Sequence, residues 1–394
     1  MRRKLTMNKE EILGIVWKCS LCGFCPKDME CPAFDDDARW ESSYARGKVA
    51  IVHGMIKNPE LGFQNSELAK QQLFSCAGCG HCLYICPSGV NVPEIVMTGK
   101  KILVDANNYP ESHGNIIKNL KELRNPFGEN APRAQKWEEL RKNINAETVY
   151  FPGCMAIYRT PQIALNSIEL FKILDEDIKV LENETCCSGI LYRIGHGRLL
   201  PEILKPMLDE LHERPPKQII FTCPGCLTSF KNIFSSELQE KFKDTKLLHF
   251  IQYLYDKISK LGDIEKKVEL LLSGKIKKPI IWHDPCHLAR DLEIHDEPRK
   301  ILNAIKIPFI EFKQNRLDSN CCGSGSGVRS AFPELAEKTT LKRLEEMKDL
   351  GAKTLLSACP FCEYQYSTVA SKFNFEIEVL DFNTLLMGLL RAGE

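Results

Sequence analysis

The chain has 394 residues, enough for two or three domains at roughly 100–200 residues each, and its 43% hydrophobic content supplies real cores. Lys plus Arg number 53 and Asp plus Glu 52, so net charge makes no case for nucleic-acid binding or a polyanionic substrate. No apolar run approaches the roughly 18–20 residues of a spanning helix. The basic start Met1-Arg2-Arg3-Lys4 runs into charged residues rather than a signal segment, so a cytoplasmic address is expected, with any contact to the inner face of a membrane made through a partner protein.

In a reducing compartment the 18 cysteines point to metal or redox chemistry rather than disulfides. Eight lie before residue 90. They form two runs, Cys19-x-x-Cys22-x-x-Cys25 with Cys31-Pro32, and Cys76-x-x-Cys79-x-x-Cys82 with Cys86-Pro87. Three cysteines at this spacing let one tight loop present three thiolates to an iron–sulfur cube, and in two-cluster ferredoxins the fourth comes from the other run. One cubane 4Fe–4S cluster is therefore assigned to Cys19, Cys22, Cys25 and Cys86, and a second to Cys76, Cys79, Cys82 and Cys31. Paired zinc sites are the alternative chemistry for thiolate tetrads. The five residues Pro26–Glu30 exceed the ferredoxin spacing of three. His81, between two ligands, is expected to face solvent or donate an N–H to sulfur. The spacers Ser42–Ile56, Ser66–Leu73 and Val92–Leu103 look helical, so this domain (residues 1–110) is expected to be mostly α.

A helix-prone, cysteine-free connecting arm follows over 111–147, punctuated by Asn125-Pro126-Phe127-Gly128 and Ala131-Pro132-Arg133. Beyond it the sequence repeats itself. Cys154, Cys186-Cys187-Ser188-Gly189 and Cys223-Pro224-Gly225-Cys226 in residues 148–275 recur as Cys286, Cys321-Cys322-Gly323-Ser324 and Cys359-Pro360-Phe361-Cys362 in residues 276–394. Short apolar runs precede these groups (Val149–Phe151, Ile219–Thr222, Ile280–Trp282, Leu355–Leu356) and suit buried strands. Helical periodicity lies between, with Thr160-Pro161 opening Ile163–Leu174 and a second helix over Pro333–Leu350. The fold class expected is α+β: a mostly α-helical ferredoxin domain followed by two repeated α/β lobes.

Five cysteines per repeat are one more than a cubane needs. The pattern Cys, Cys-Cys-Gly, Cys-x-x-Cys resembles the CCG domain, and the whole chain resembles the heterodisulfide reductase D subunit. That resemblance implies a non-cubane 4Fe–4S cluster on Cys154, Cys186, Cys187, Cys223 and Cys226, and another on Cys286, Cys321, Cys322, Cys359 and Cys362. It further implies reductive cleavage or formation of a disulfide such as CoM-S-S-CoB. Ser188 stands where the motif has Gly; if the position needs positive φ, Gly189 is expected to take over.

His283, Asp284 and His287 beside Cys286 are candidates for proton transfer or for supporting the cluster, although Pro285 argues against a regular helix there. Gly323-Ser324-Gly325-Ser326-Gly327 suits close backbone approach to a cluster better than a phosphate loop. Arg193, Arg290 and Arg329 are candidates for holding an anionic substrate. No flavin or NAD fingerprint is present, so electrons need a redox partner: a flavoprotein, a ferredoxin-like protein or a membrane cytochrome b. The alternatives to a disulfide reductase are the relay component of a flavin-dependent glycolate, lactate or glycerol-3-phosphate dehydrogenase, and a relay in a larger redox complex.

Overall fold

A computed structural model describes residues 9–20, 22–25, 31–33, 40–130, 143, 145–234, 243–258, 276 and 279–391. The spacer Pro26–Glu30 and the segment Ala131-Pro132-Arg133 lie outside these residues.

The N-terminal part is helical, with no strand among its described residues. Helices Ala45–Lys57, Glu67–Phe74 and Val92–Asp105 bury Val49, Val52, Leu73, Ile95 and Leu103 in one core. Ser66 caps its helix by accepting from the Ala69 N–H, and Asn91 does the same for Glu94, satisfying N–H groups that have no intrahelical partner. The described part of the arm is a packed helix, Glu111–Leu123. Leu120 is buried in the core of the first repeat, and the following turn accepts from the Cys186 N–H at Arg124 O.

Each repeat is a four-stranded parallel sheet. The first runs β2-β1-β3-β4 and the second β6-β5-β7-β8: β1 Thr148–Phe151, β2 Ile178–Lys179, β3 Gln218–Phe221, β4 Lys246–His249, β5 Ile280–Trp282, β6 Phe309–Glu311, β7 Thr354–Ser357 and β8 Glu378–Asp381. The central strands β1, β3, β5 and β7 match the expected apolar runs. Parallel pairing with helical crossovers buries them on both faces, as the fully buried β1, β5 and β7 show. Helices Pro161–Ile173 and Pro333–Asp349 form where expected, although the Thr160 hydroxyl donates to Met155 O rather than capping.

The two repeats meet in one shared core. Tyr150, Phe171, Ile220 and Phe250 of the first pack with Trp282, Ile301, Phe382 and Leu386 of the second. The pairing is reciprocal. Helix Pro161–Ile173 packs on Phe382–Arg391, and its counterpart Glu297–Ala304 packs on Phe250–Lys257. Equivalent elements exchanging places in this way mark a pseudo-two-fold relation. It brings the carboxyl ends of both sheets, where α/β folds place their ligands, to one region.

Candidate functional site

None of the eighteen cysteines is paired in a disulfide, and the ten in the repeats are all buried. Cys154 follows β1 through Gly153, whose φ of 80° admits glycine most easily; an added Cβ would stand 3.0 Å from the Cys226 sulfur. Cys223 and Cys359 close β3 and β7 and precede helices that open on proline, Pro224–Thr228 and Pro360–Lys372.

Within the first repeat Cys186 Sγ lies 3.7 Å from Cys154 Sγ. In the second, Cys321 Sγ lies 4.0 Å from Cys286 Sγ, and Cys362 Sγ lies 3.5 Å from Cys322 Sγ. The second thiol of each adjacent pair is held well below the ordinary thiol range, first by the bond from its neighbour: Cys187 by Cys186, and Cys322 by Cys321. Cys286 falls to about 7, chiefly through the bond from Cys321. These thiols share protons, and the thiolate form is the metal ligand. Among the described residues, no three His, Cys, Asp or Glu groups are placed to hold a single metal ion.

Ser188 adopts φ 53° and ψ 12° itself. Its N–H donates to the Cys186 sulfur at 3.4 Å, as the Gly323 N–H does to Cys321. Gly189 therefore does not take over the left-handed position. It opens the helix Gly189–Arg193, where a Cβ would collide with Ser229 Oγ.

In the helical domain two cavities gather the thiols across the two runs. One is lined by Cys19, Cys22, Cys25 and Cys86, with Cys82 at its edge. The other is lined by Cys31, Cys76, Cys79 and Cys82, together with Cys321 of the second repeat. Each cavity thus contains one full tetrad with a fourth thiol from the opposite run, which fits a cubane in each.

The second cavity is closed by the second repeat. Cys79 and Cys321 are within hydrogen-bonding reach. Ser326 Oγ donates to Ala77 O at 2.9 Å, and a Cβ on Gly325 would stand 2.6 Å from the same oxygen. The glycine-rich loop thus makes its close approach to the ferredoxin-side backbone. His81 is buried rather than solvent-facing, with Nε2 2.8 Å from Asp318 Oδ1.

The other candidates divide by their partners. Asp284 accepts from Arg299 Nη1 and Nη2, Trp282 Nε1 and the Arg316 N–H. Its carboxylate is committed to holding β5 and the following turn. His283 is fully buried and its pKa falls to about 4, chiefly through burial. Its Nδ1 faces the Tyr366 hydroxyl and its Nε2 has no partner among the described residues. His287 opens the turn His287–Asp291 with Nδ1 2.5 Å from Asp291 Oδ2. Burial opposes its charge, but Cys286 and Asp291 raise its pKa on balance. Arg290 donates to Cys79 O, Leu317 O and Ser319 O, a staple across the junction. Arg329 bonds Gln365 and Thr368 and stacks on Tyr364. Arg193 lines a cleft with Glu94, Tyr192, Asn232 and Asp291 where all three parts meet. Sequence reasoning passed over Glu363, whose carboxyl is pushed up to about 8 by burial and then by Asp381; its position next to Cys362 was the available signal.

Residues 148–231 and 280–367 each match the cysteine-rich CCG domain, and residues 15–90 match the 4Fe-4S dicluster domain. The D subunit of the CoB–CoM heterodisulfide reductase of Methanosarcina acetivorans is 26% identical over 93% of this chain and 92% of its own length. The chain thus carries a 4Fe-4S dicluster domain and two CCG domains, and over nearly its whole length it is similar to heterodisulfide reductase D subunits. The B subunit of the CoM/CoB fumarate reductase of Methanothermobacter marburgensis is 27% identical over 80% of the chain and 61% of its own length. The EtfAB:quinone oxidoreductase of Syntrophomonas wolfei is 23% identical over 91% and 56%. These relatives support an oxidoreductase role with redox partners for this chain. Among its described residues no helix is long and apolar enough to cross a membrane.

Proposed function

We propose that this chain passes single electrons from a partner protein through two cubane 4Fe–4S clusters to two non-cubane clusters, for reductive cleavage of a small disulfide such as CoM-S-S-CoB. Cys19, Cys22, Cys25 and Cys86 would hold the first cubane, and Cys31, Cys76, Cys79 and Cys82 the second. Cys154, Cys186, Cys187, Cys223 and Cys226, and Cys286, Cys321, Cys322, Cys359 and Cys362, would hold the non-cubane pair. Bound clusters supply one-electron storage, and two of them side by side suit a two-electron reduction without a free thiyl radical.

The observation that carries this reading is the continuity of the thiols. Cys22 is exposed, Cys82 lines both helical-domain cavities, Cys79 reaches Cys321, and Cys359 reaches Cys223. His287, beside Cys286 and with its pKa raised on balance by Cys286 and Asp291, is placed to supply a proton to a thiolate product, and Arg193 in the three-way cleft to hold an anionic substrate group. Asp284 keeps the Cys286 turn in position. The domains are proposed to divide at residues 110, 147 and 275.

Anaerobic EPR of the oxidised holoprotein with and without CoM-SH tests this function. A paramagnetic signal that appears only with the thiol supports substrate binding at a non-cubane site. Cubane signals on reduction with no thiol response would leave a relay component of a flavin-dependent dehydrogenase or larger redox complex.

A further inference from the structure

Two lysines are buried in the helical domain with no carboxylate beside them among the described residues. Lys48 is 2% exposed and Lys100 fully buried. Lys48 lines the cavity of Cys31, Cys76, Cys79 and Cys82 and donates to Ser75 Oγ at 3.3 Å. Lys100 Nζ donates to the Cys76 and Arg193 carbonyls at 3.1 and 3.2 Å. On the far side, the Arg290 guanidinium donates to Cys79 O at 2.7 Å, and its buried Nη2 has no hydrogen-bond partner among the described residues. A buried cation is costly unless an anion offsets it.

The charges at the other cavity are different. Arg46, lining the Cys19, Cys22, Cys25 and Cys86 site, is neutralised by Glu41, with Nη2 2.7 Å from Oε2. Two described acidic groups near the Cys76 site have partners of their own: Asp318 pairs with His81 and Asp291 with His287.

We infer that Lys48, Lys100 and Arg290 set a potential step between the two cubane sites, making the inner site on Cys31, Cys76, Cys79 and Cys82 the stronger electron acceptor. This rests on the cluster assignment proposed above. A 4Fe–4S centre on four thiolates gains one negative charge on reduction, and net charge and burial tune its potential. Three cations around the cavity stabilise the reduced form, the more so in a site of low effective dielectric. One electron leaves the outer site, one arrives at the inner site, and no bond or proton changes. The electron comes from a one-electron carrier protein in the assembly and from dithionite in the test.

The test is an EPR-monitored redox titration of the anaerobic holoprotein. Cys22→Ser identifies the outer signal, which is expected to be the lower-potential one. Lys48→Met and Lys100→Met are each expected to lower the reduced-to-oxidised ratio of the inner signal about tenfold at a given potential, which is 59 mV for one electron, leaving the outer signal in place. Lys48→Arg is expected to restore it. An outer signal of higher potential, or inner signals unmoved in both Met variants, would overturn the inference. So would loss of iron in Lys48→Arg as well as Lys48→Met, which would mark a purely structural role. Absence of two cubane signals in the unaltered protein would instead overturn the underlying assignment.

Discussion

Cys223 and Cys359 stand at equivalent positions of the two repeats and lie within hydrogen-bonding reach of each other. Contact between equivalent residues places the pseudo-two-fold axis between the two five-cysteine sites. A change at either residue is therefore expected to reach both sites. Cys359→Ala should remove about four of roughly 16 iron atoms and alter the EPR of the surviving non-cubane site. Cys154→Ala, away from the axis, should remove its own iron and leave the second site's spectrum unchanged. Identical effects from the two variants would contradict this placement.

The left-handed residue after each cysteine pair gives an asymmetric prediction. Gly323 has φ 88°, and an added Cβ would stand 2.7 Å from Thr339 Cβ. Gly323→Ala should cost about 1–3 kcal/mol and loosen the second site. Ser188→Gly relieves backbone strain but loses the bond from Ser188 Oγ to Cys186 O at 3.0 Å, so its net effect should stay within about 1 kcal/mol. Urea unfolding midpoints of the anaerobic holoprotein compare the two.

Arg299 and Asp284 form a buried ion pair at 2.7 Å. Arg299→Met leaves the Asp284 carboxylate without its main partner and should destabilise the protein by about 3–5 kcal/mol. Adding Asp284→Asn should recover part of that loss, because the stranded charge is gone. A double variant no more stable than the single one would contradict the assignment of Asp284 to structure.

Asp381 supplies a pH dependence distant from the thiols in sequence. Its carboxyl accepts the Asn383 N–H at 2.8 Å, and burial nevertheless raises its pKa to about 7 from 3.8. A folded-state pKa above the unfolded value means that stability is fully present below pH 4 and is lost as pH rises through 7. Asp381→Asn stays neutral, so its stability relative to the unaltered protein should rise between pH 4 and 7 and then level off. A pH-independent difference in unfolding midpoint would contradict this.

The cysteine groups and the repeat are legible in the sequence because thiolate spacing is a local property and the central strands are continuous apolar runs. Strands β2, β4, β6 and β8 are not, because β2 has only two residues and the others mix charged and apolar residues at sheet edges. The junction is the larger omission. His81 meets Asp318 across 237 residues of chain and Ser326 meets Ala77 across 249, and no local pattern signals such pairs. For the same reason Arg290 looks like a substrate anchor in the sequence and proves to be a staple between backbones.

The central claim is that all eighteen thiols serve iron. Metal and acid-labile sulfide analysis of the anaerobically isolated chain tests it most directly. Four 4Fe–4S clusters predict roughly 16 iron and 16 sulfide per chain, with no thiol open to alkylation until the clusters are removed. Stoichiometric zinc, or about eight iron with the ten repeat cysteines freely alkylated, would contradict it.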